Sequence, residues 1–269
     1  MPSVGMYMPM AQRADIALTE RGLCKSRSRA KILIQEGKVL RDGVPVARPS
    51  EMIEDAQVLT VAEDLRYVGR GGLKLEGALV AFPIDPKGRI CLDIGASTGG
   101  FTDCMLQRGA GHVYAVDVGH DQLDPVLAED PRVDNLEGTD IRDLRNLPQV
   151  PDFCSIDVSF ISLRLVLPEA YRLLADTADC IALIKPQFEA GRAALGKHGI
   201  VKSGKAHLQV LTEILAFAQE TGFSVQGVCV SPIQGGSGNI EYLAHLSKGR
   251  VRGALPDLRE LVRSTGLMR

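Results

Sequence analysis

Aromatic residues are scarce in this sequence, at 4% of the chain, and tryptophan is absent. That scarcity weighs against a surface on which successive single-stranded bases stack. The cysteines include no C-x-x-C pair and the histidines show no ligand spacing, so we expect neither disulfides nor a metal site. We interpret the six cysteines as reduced thiols, most of them buried: Cys24, Cys91, Cys104, Cys154, Cys180 and Cys229.

Long hydrophobic runs are missing as well. No apolar stretch approaches the roughly 20 residues of a membrane-spanning helix, and the start, MPSVGMYMPMAQ, lacks the charged-then-apolar build of a signal peptide. We therefore expect a cytoplasmic protein that makes no membrane contact. With 269 residues, 45% of them hydrophobic, the chain can hold an ordinary domain plus a small one.

The most informative segment is the glycine-rich stretch RICLDIGASTGGFT, residues 89–102. An apolar run ends at Asp93 and passes into a glycine-rich turn, which is typical of the first strand, loop and helix of a nucleotide-binding βαβ unit. The dinucleotide order G-x-G-x-x-G is not met, because no second glycine stands where a pyrophosphate would approach the backbone. The loop therefore favours a cationic, phosphate-free cofactor such as S-adenosylmethionine (SAM) over NAD.

Acidic residues end the next two predicted strands. HVYAVDVG, residues 112–119, ends in Asp117, which lies 24 residues after Asp93, close to the separation at which an acid binds ribose hydroxyls. VDNLEGTDIRDL places Asp140 as a candidate partner for an adenine amino group. The alternative for either acid, and for the nearby Asp143, is that it caps the following helix.

Four more charged residues stand at element ends. Asp157 follows the predicted strand DFCSIDVSFISL, and Lys185 follows the apolar run of CIALIKPQFEAG. Lys74 begins the predicted helix LKLEGALVAF, and Glu241 enters a last strand. Two lysines and two carboxylates in one cleft would suit removal of a proton from a weakly acidic hydroxyl during methyl transfer. The alternative is a set of unrelated surface ion pairs.

Residues 10–62 have a different character. They predict two short amphipathic helices, the second capped by Ser26 or Ser28, then small strands with an Asp42-Gly43 hairpin turn. Between Arg21 and Arg48 the net charge is +6, in a chain of net charge −2. Such a concentration is typical of a phosphate-binding surface, with a solvated helix face as the alternative.

Together these patterns predict four regions: a small basic domain over residues 10–63, a glycine-rich linker over 64–73, a larger domain over 74–249 and an extension over 250–269. The fold class is α/β. A doubly wound, Rossmann-like parallel sheet follows a small α+β domain.

Two resemblances sharpen these expectations. SRSRAKILIQEGKVLRDG resembles the RNA-binding domains named after ribosomal protein S4. Lys74 with DIGASTGGFT, IDVSFISL, IKPQFEAG and GNIEYL resembles the FtsJ-like ribose 2′-O-methyltransferases, and the combination is similar to the TlyA (hemolysin A) family of ribosomal RNA methyltransferases. The resemblance implies that residues 10–63 are an RNA-binding domain and that residues 74–249 are a catalytic domain with a sheet of the class I methyltransferase type. It also implies methylation of a cytidine ribose on assembled ribosomal subunits, by a protein that we expect to be a monomer.

The resemblance also implies roles for individual residues. Lys185 would meet the target hydroxyl, with Lys74, Asp157 and Glu241 orienting it. The SAM pocket would include Asp93, Gly95, Ala96, Ser97, Gly99, Gly100, Asp117 and Asp140. The RNA contacts would include Arg13, Lys25, Arg27, Arg29, Lys31 and Arg70.

Three other function classes remain as alternatives. A Rossmann dehydrogenase conflicts with the missing second glycine and with the basic front end. A non-enzymatic RNA-binding or ribosome-assembly factor conflicts with the intact Lys-Asp-Lys-Glu order. A membrane-active hemolysin, which the family's historical name suggests, conflicts with the lack of any segment suited to a bilayer.

Overall fold

The structure is a computed structural model that describes residues 11–24, 26–35, 37–61, 66–235, 238–251, 253 and 255–268. The chain divides into two compact units, residues 1–64 and 65–269.

The first unit is a small α+β domain. Its elements are β1 (Ala11–Arg13), α1 (Ala14–Glu20), α2 (Arg27–Gln35), β2 (Val39–Arg41), β3 (Val44–Pro45), β4 (Met52–Glu54) and β5 (Leu59–Val61). The Ser26 hydroxyl caps α2 by accepting the Arg29 N–H at 3.2 Å. Asp42 and Gly43 both have positive φ and turn β2 back onto β3 as an antiparallel hairpin. The predicted helix pair and hairpin are confirmed.

The second unit is built on a seven-stranded sheet. Its strands are β6 (Ile90–Ile94), β7 (His112–Asp117), β8 (Val133–Glu137), β9 (Phe153–Ile156), β10 (Ala178–Ile184), β11 (Ser224–Val230) and β12 (Tyr242–Lys248). They lie in the order β11-β12-β10-β9-β6-β7-β8. The predicted sheet had no strand corresponding to β11.

One strand breaks the predicted parallel pattern. β12 runs antiparallel to both β10 and β11, so the sheet is mixed rather than parallel throughout. The physical reason is the connection: parallel neighbours need a crossover, usually a helix, and the described residues between β11 and β12 form no helix.

Helices cover both faces of the sheet, which confirms the doubly wound fold. On one face, α3 (Gly71–Ala81) and α4 (Gly100–Gln107) bury Leu75, Phe101 and Met105. The other face is covered by α6 (Leu163–Leu173), α8 (Gly204–Thr221) and α9 (Leu258–Ser264). Two short helices, α5 (Pro125–Ala128) and α7 (Pro186–Glu189), follow β7 and β10.

The predicted linker and the predicted C-terminal extension both contribute regular structure to this unit. The linker predicted for residues 64–73 contributes residues 71–73 to α3. Within the predicted extension, 250–269, α9 begins at an Asp257 cap and buries Val262 completely. The last part of the chain therefore adds to the core of the methyltransferase-type unit.

Candidate active site

The glycine loop follows β6 at the carboxyl edge of the sheet. Gly95 has φ +85°, and a Cβ at this position would collide with the main-chain carbonyl of Asp157, which follows β9. Only glycine therefore allows the ends of these two neighbouring strands to lie so close together. Their closeness brings the loop and Asp157 into one site.

Asp93 lies behind this loop instead of on its surface. Its side chain is fully buried and accepts hydrogen bonds from the hydroxyls of Thr102 at 2.7 Å and Ser155 at 2.8 Å. Burial raises the pKa of Asp93 to about 6, although both hydroxyls act in the opposite direction. The structure thus gives Asp93 a role in holding the loop to the first turn of α4, and not the predicted direct place in a pocket wall.

A cavity of about 550 Å³ opens beside the loop, at the carboxyl ends of β6, β7 and β9. This is the size range of small-molecule and cofactor sites. Ile94, Val116, Val118 and Ile141 supply apolar wall, and Gly95, Ser97, Asp117 and Asp140 of the predicted set also line it. Asp117 accepts the main-chain N–H groups of Ser97 at 2.8 Å and Gly119 at 2.7 Å. Asp140 pairs with Arg142 at 2.6 Å, and this partner lowers the pKa of Asp140.

A second, smaller hollow adjoins the first, because both share Gly95, Ser97, Asp157 and Ser159. Its lining also includes Ala96, Gly100 and Lys185. Of the eight residues expected at a cofactor, Asp93 and Gly99 are not on either wall and the other six are. Gly99 instead makes the turn into α4 with φ +93°.

The four residues expected to be catalytic form two ion pairs. The Lys185 ammonium lies 2.6 Å from a carboxylate oxygen of Asp157, and the Lys74 ammonium donates to Glu241 at 2.7 Å. Lys74, Lys185 and Glu241 are buried. Since Tyr242 of β12 pairs with Ile184 of β10, Glu241 and Lys185 lie at the same edge of the sheet. Close, sheltered charges of this kind interact more strongly than exposed pairs.

Three residues of this site are absent from the sequence prediction. Ser159 accepts a hydrogen bond from Lys185 at 2.8 Å. Gln187 donates to Glu241 at 2.9 Å. Phe160 is 91% exposed on the cavity wall with φ +64°, and its ring centroid lies 4.9 Å from that of Phe188. All three stand within three residues of Asp157 or Lys185, so their nearness in the sequence was the available signal.

The predicted RNA contacts of the first unit include a buried charge cluster. The Asp15 side chain is fully buried and pairs with Arg13 at 2.9 Å and Arg27 at 3.2 Å. These two guanidinium groups lower the pKa of Asp15 to about 2. Arg13 and Arg27 therefore support the fold of this unit, while about half of each side chain remains exposed.

The remaining predicted RNA contacts have varied surroundings. Lys31 is exposed on α2, and Arg29 is half-buried. Arg70, in the second unit, donates to the main-chain carbonyl of Gln234 at 2.7 Å. Lys25 lies outside the described residues.

The described part of the chain contains no cluster of three or more His, Cys, Asp or Glu side chains placed to hold a metal ion. Among the same residues, no helix combines the length and the apolar character needed to cross a membrane. All six cysteines are free, and four of them are buried.

Comparisons with known proteins agree with this two-part organisation. Residues 67–248 match the family model of FtsJ-like methyltransferases, and residues 12–59 match that of S4 domains. The 16S/23S rRNA (cytidine-2′-O)-methyltransferase TlyA of Mycobacterium tuberculosis is 45% identical over 245 residues, which cover 88% of this chain and 91% of that protein. A Bacillus subtilis protein provisionally named as the rRNA methyltransferase YqxC is 49% identical over 239 residues, covering 87% of this chain and 85% of its own.

A solved structure of a Streptococcus thermophilus protein, provisionally named a hemolysin, is also similar. It superposes with a TM-score of 0.75 at 46% identity and covers 96% of both chains.

Proposed function

Because the chain belongs to the TlyA family, in which an S4 domain precedes an FtsJ-like methyltransferase domain, we propose that it methylates a ribose 2′-hydroxyl of ribosomal RNA. The methyl donor is SAM, and the target is a cytidine on an assembled ribosomal subunit. The observation that carries the proposal is the position of Lys185, whose ammonium is held between Asp157 and Ser159 beside the cavity.

The residues of the cavity fit SAM. Asp117 keeps free lone pairs beyond its two main-chain hydrogen bonds and could accept ribose hydroxyls of the cofactor. Apolar side chains from β6, β7 and the segment after β8 would enclose an adenine ring, with Asp140 at its edge. The wall carries three carboxylates and one guanidinium, which suits a cationic ligand: Asp117, Asp140, Asp157 and Arg142.

Bound SAM would supply a methyl group activated by its sulfonium. For a target 2′-oxygen to take up that methyl group in place of the sulfur, the hydroxyl proton would have to leave. Lys185 is placed to hold the hydroxyl. When the Lys185 amine is neutral, it can accept this proton. Asp157 and Ser159 fix the direction of its amine and stabilise the ammonium that results.

Two surfaces suit an RNA substrate. Phe160 exposes its ring at the cavity mouth, beside the catalytic pair, where a base turned out of its stack could lie on it. The basic α2 of the S4 domain offers Arg29 and Lys31 to phosphates. The substrate is therefore expected to be recognised by both units.

The test uses radiolabelled SAM with small and large ribosomal subunits that lack the modification. We expect label on a ribose 2′-oxygen of cytidine. Lys185→Met should lower the rate at least about 10²-fold, which is the lower range for a positioned proton-transfer group, while SAM affinity stays within about twofold of that of the unchanged protein. The matched control is Lys87→Met, because Lys87 is exposed before β6, at the opposite edge of the sheet.

The alternatives predict other outcomes, in this experiment and in two further assays. SAM binding without transfer to either subunit, even by the unchanged protein, would favour the RNA-binding or assembly factor. Thermal protection by NAD in place of SAM would favour the dehydrogenase. Lysis of erythrocytes by purified Lys185→Met protein would favour the membrane-active hemolysin.

A further inference from the structure

Gln187 connects the two ion pairs of the active site: its side chain contacts Glu241, and its main chain lies two residues after Lys185. It lies in α7, the four-residue helix that begins directly after Lys185. Its side-chain Nε2 donates to Oε1 of Glu241 at 2.9 Å, while Oε2 of Glu241 accepts from Lys74 at 2.7 Å. Both oxygens of this buried carboxylate are thus occupied, one by a neutral donor and one by a cation.

The other end of the Gln187 amide is unusual. Its Oε1 is buried and has no hydrogen-bond partner among the described residues. Turning the amide over would place Oε1 against the Glu241 carboxylate, where two acceptors would repel each other. The contact with Glu241 therefore fixes the amide in an orientation that leaves one acceptor unsatisfied, which is unfavourable and rare in buried sites.

The backbone holds Gln187 rigidly relative to Lys185. Pro186 restricts φ at the start of α7, the Phe188 N–H donates to the Lys185 carbonyl at 2.9 Å, and the Ala190 N–H donates to the Pro186 carbonyl at 2.9 Å. Because Gln187 is hydrogen-bonded to Glu241, α7, which begins directly after Lys185, resists any displacement of the Glu241–Lys74 pair.

We propose that Gln187 is a positioning residue for methyl transfer, which acts through Glu241 on Lys74 and keeps that pair in register with Lys185. The inference rests on the proposed function. A neutral amide suits this position because it supplies a donor without altering the balance of two lysines and two carboxylates.

Two substitutions separate positioning from simple packing. Gln187→Met keeps a similar volume but removes the hydrogen bond, so we expect kcat to fall about tenfold with KM for the ribosomal subunit and SAM affinity nearly unchanged. Gln187→Glu is almost isosteric and sets a second carboxylate against Glu241. Like charges at this distance favour sharing of one proton, so activity should fall with rising pH in a range where the unchanged protein is constant.

The matched controls are Gln209→Met and Gln209→Glu. Gln209 also donates to a glutamate, Glu213, at 2.9 Å, but this pair lies exposed along α8. Both control variants should keep the kcat and the pH profile of the unchanged protein.

A second measurement does not depend on turnover. NMR titration of isotope-labelled lysine side chains should show a shifted Lys74 titration in Gln187→Glu and none in Gln209→Glu. An unaltered kcat and pH profile in both Gln187 variants would overturn the proposal, as would a lowered Tm with an unaltered Lys74 titration. Failure of the unchanged protein to methylate RNA would contradict the proposed function instead, and the Lys74 titration would still decide whether Gln187 acts through Glu241.

Discussion

At the residue scale, two buried aspartates show how local partners decide the state of a carboxyl group. Asp15 is buried against two guanidinium groups, and its pKa falls to about 2. Asp93 is buried with neutral hydrogen-bond donors only, and its pKa rises to about 6 through desolvation, with a smaller contribution from the charge of Asp157. Desolvation opposes ionisation in both cases, and only cationic partners outweigh it. The same rule explains why each buried lysine of the active site has a carboxylate partner.

The raised pKa of Asp93 predicts a pH-dependent stability. A carboxyl with a raised folded-state pKa stabilises the fold fully below its unfolded-state pKa, near 4, and loses that contribution as pH rises through about 6. Asp93→Asn cannot ionise, so its deficit in unfolding free energy should be larger at pH 5 than at pH 7.5. Urea unfolding at both pH values measures this.

The control for Asp93 is Asp176→Asn, because the Asp176 side chain is fully exposed. Its difference from the unchanged protein should be nearly independent of pH. A constant deficit for Asp93→Asn from pH 5 to pH 7.5 would show that Asp93 titrates normally.

At the element scale, short helices position the candidate functional side chains of both units. The four-residue α7 sets Lys185 and Gln187 at the edge of the sheet, and the basic α2 presents its charges from a Ser26 cap. In each case one face of the helix is fixed by contacts inside its own unit. The side chains on the other face of each helix can then bind a ligand with little loss of backbone conformational entropy.

The charges of α2 predict a salt-dependent RNA affinity. For every phosphate that the protein no longer neutralises, the slope of log affinity against log salt should decrease by about 0.7 to 0.9. Replacing Arg29 and Lys31 by Ala should therefore weaken binding to ribosomal RNA and flatten this slope. Adding Arg27→Ala should also lower Tm, because Arg27 pairs with the buried Asp15.

Lys87→Ala, which removes an exposed charge of the second unit, is the control for these substitutions. If the slope stayed the same in the Arg29 and Lys31 variant, α2 would be only a solvated charged surface.

At the scale of the whole molecule, the boundary between the units lies at residues 64–65, before the start of α3 at Gly71. Tyr67 is 2% exposed and packs against Gly72, and the Val68 N–H donates to Asp103 of α4 at 2.8 Å. The segment 66–70 is thus part of the second unit's core rather than a free tether. Gly69 of this segment and Gly71 at the start of α3 lie against the glycine loop, where Gly100 approaches both.

This packing predicts different results for two truncations. Removing residues 1–64 should abolish tight RNA binding but leave the unfolding transition and SAM protection of the second unit. Removing residues 1–70 also deletes Tyr67, and loss of a buried aromatic side chain typically costs about 3–5 kcal/mol. Thermal unfolding with and without SAM compares them. Equal stability of the two truncated chains would mean that residues 66–70 contribute nothing to the core.

The sequence by itself determined most of the element types, β11 excepted, and which residue types the candidate site contains. Apolar runs ending at Asp117, Asp157 and Lys185 predicted the strands, because buried strands of an α/β sheet must be apolar on both faces. The sequence also predicted the glycine loop and the basic α2, since turn geometry and charge are local properties.

Only the tertiary structure decided which of these residues meet. In a wholly parallel sheet, a residue that enters a strand lies at the amino edge, far from the site. Glu241 reaches Lys74 because β12 is antiparallel, and that direction follows from a connection without a crossover helix. Burial likewise turned Asp93 and Asp15 inward and left Oε1 of Gln187 without a donor among the described residues. Such outcomes depend on packing between segments distant in the chain, which local sequence patterns do not encode.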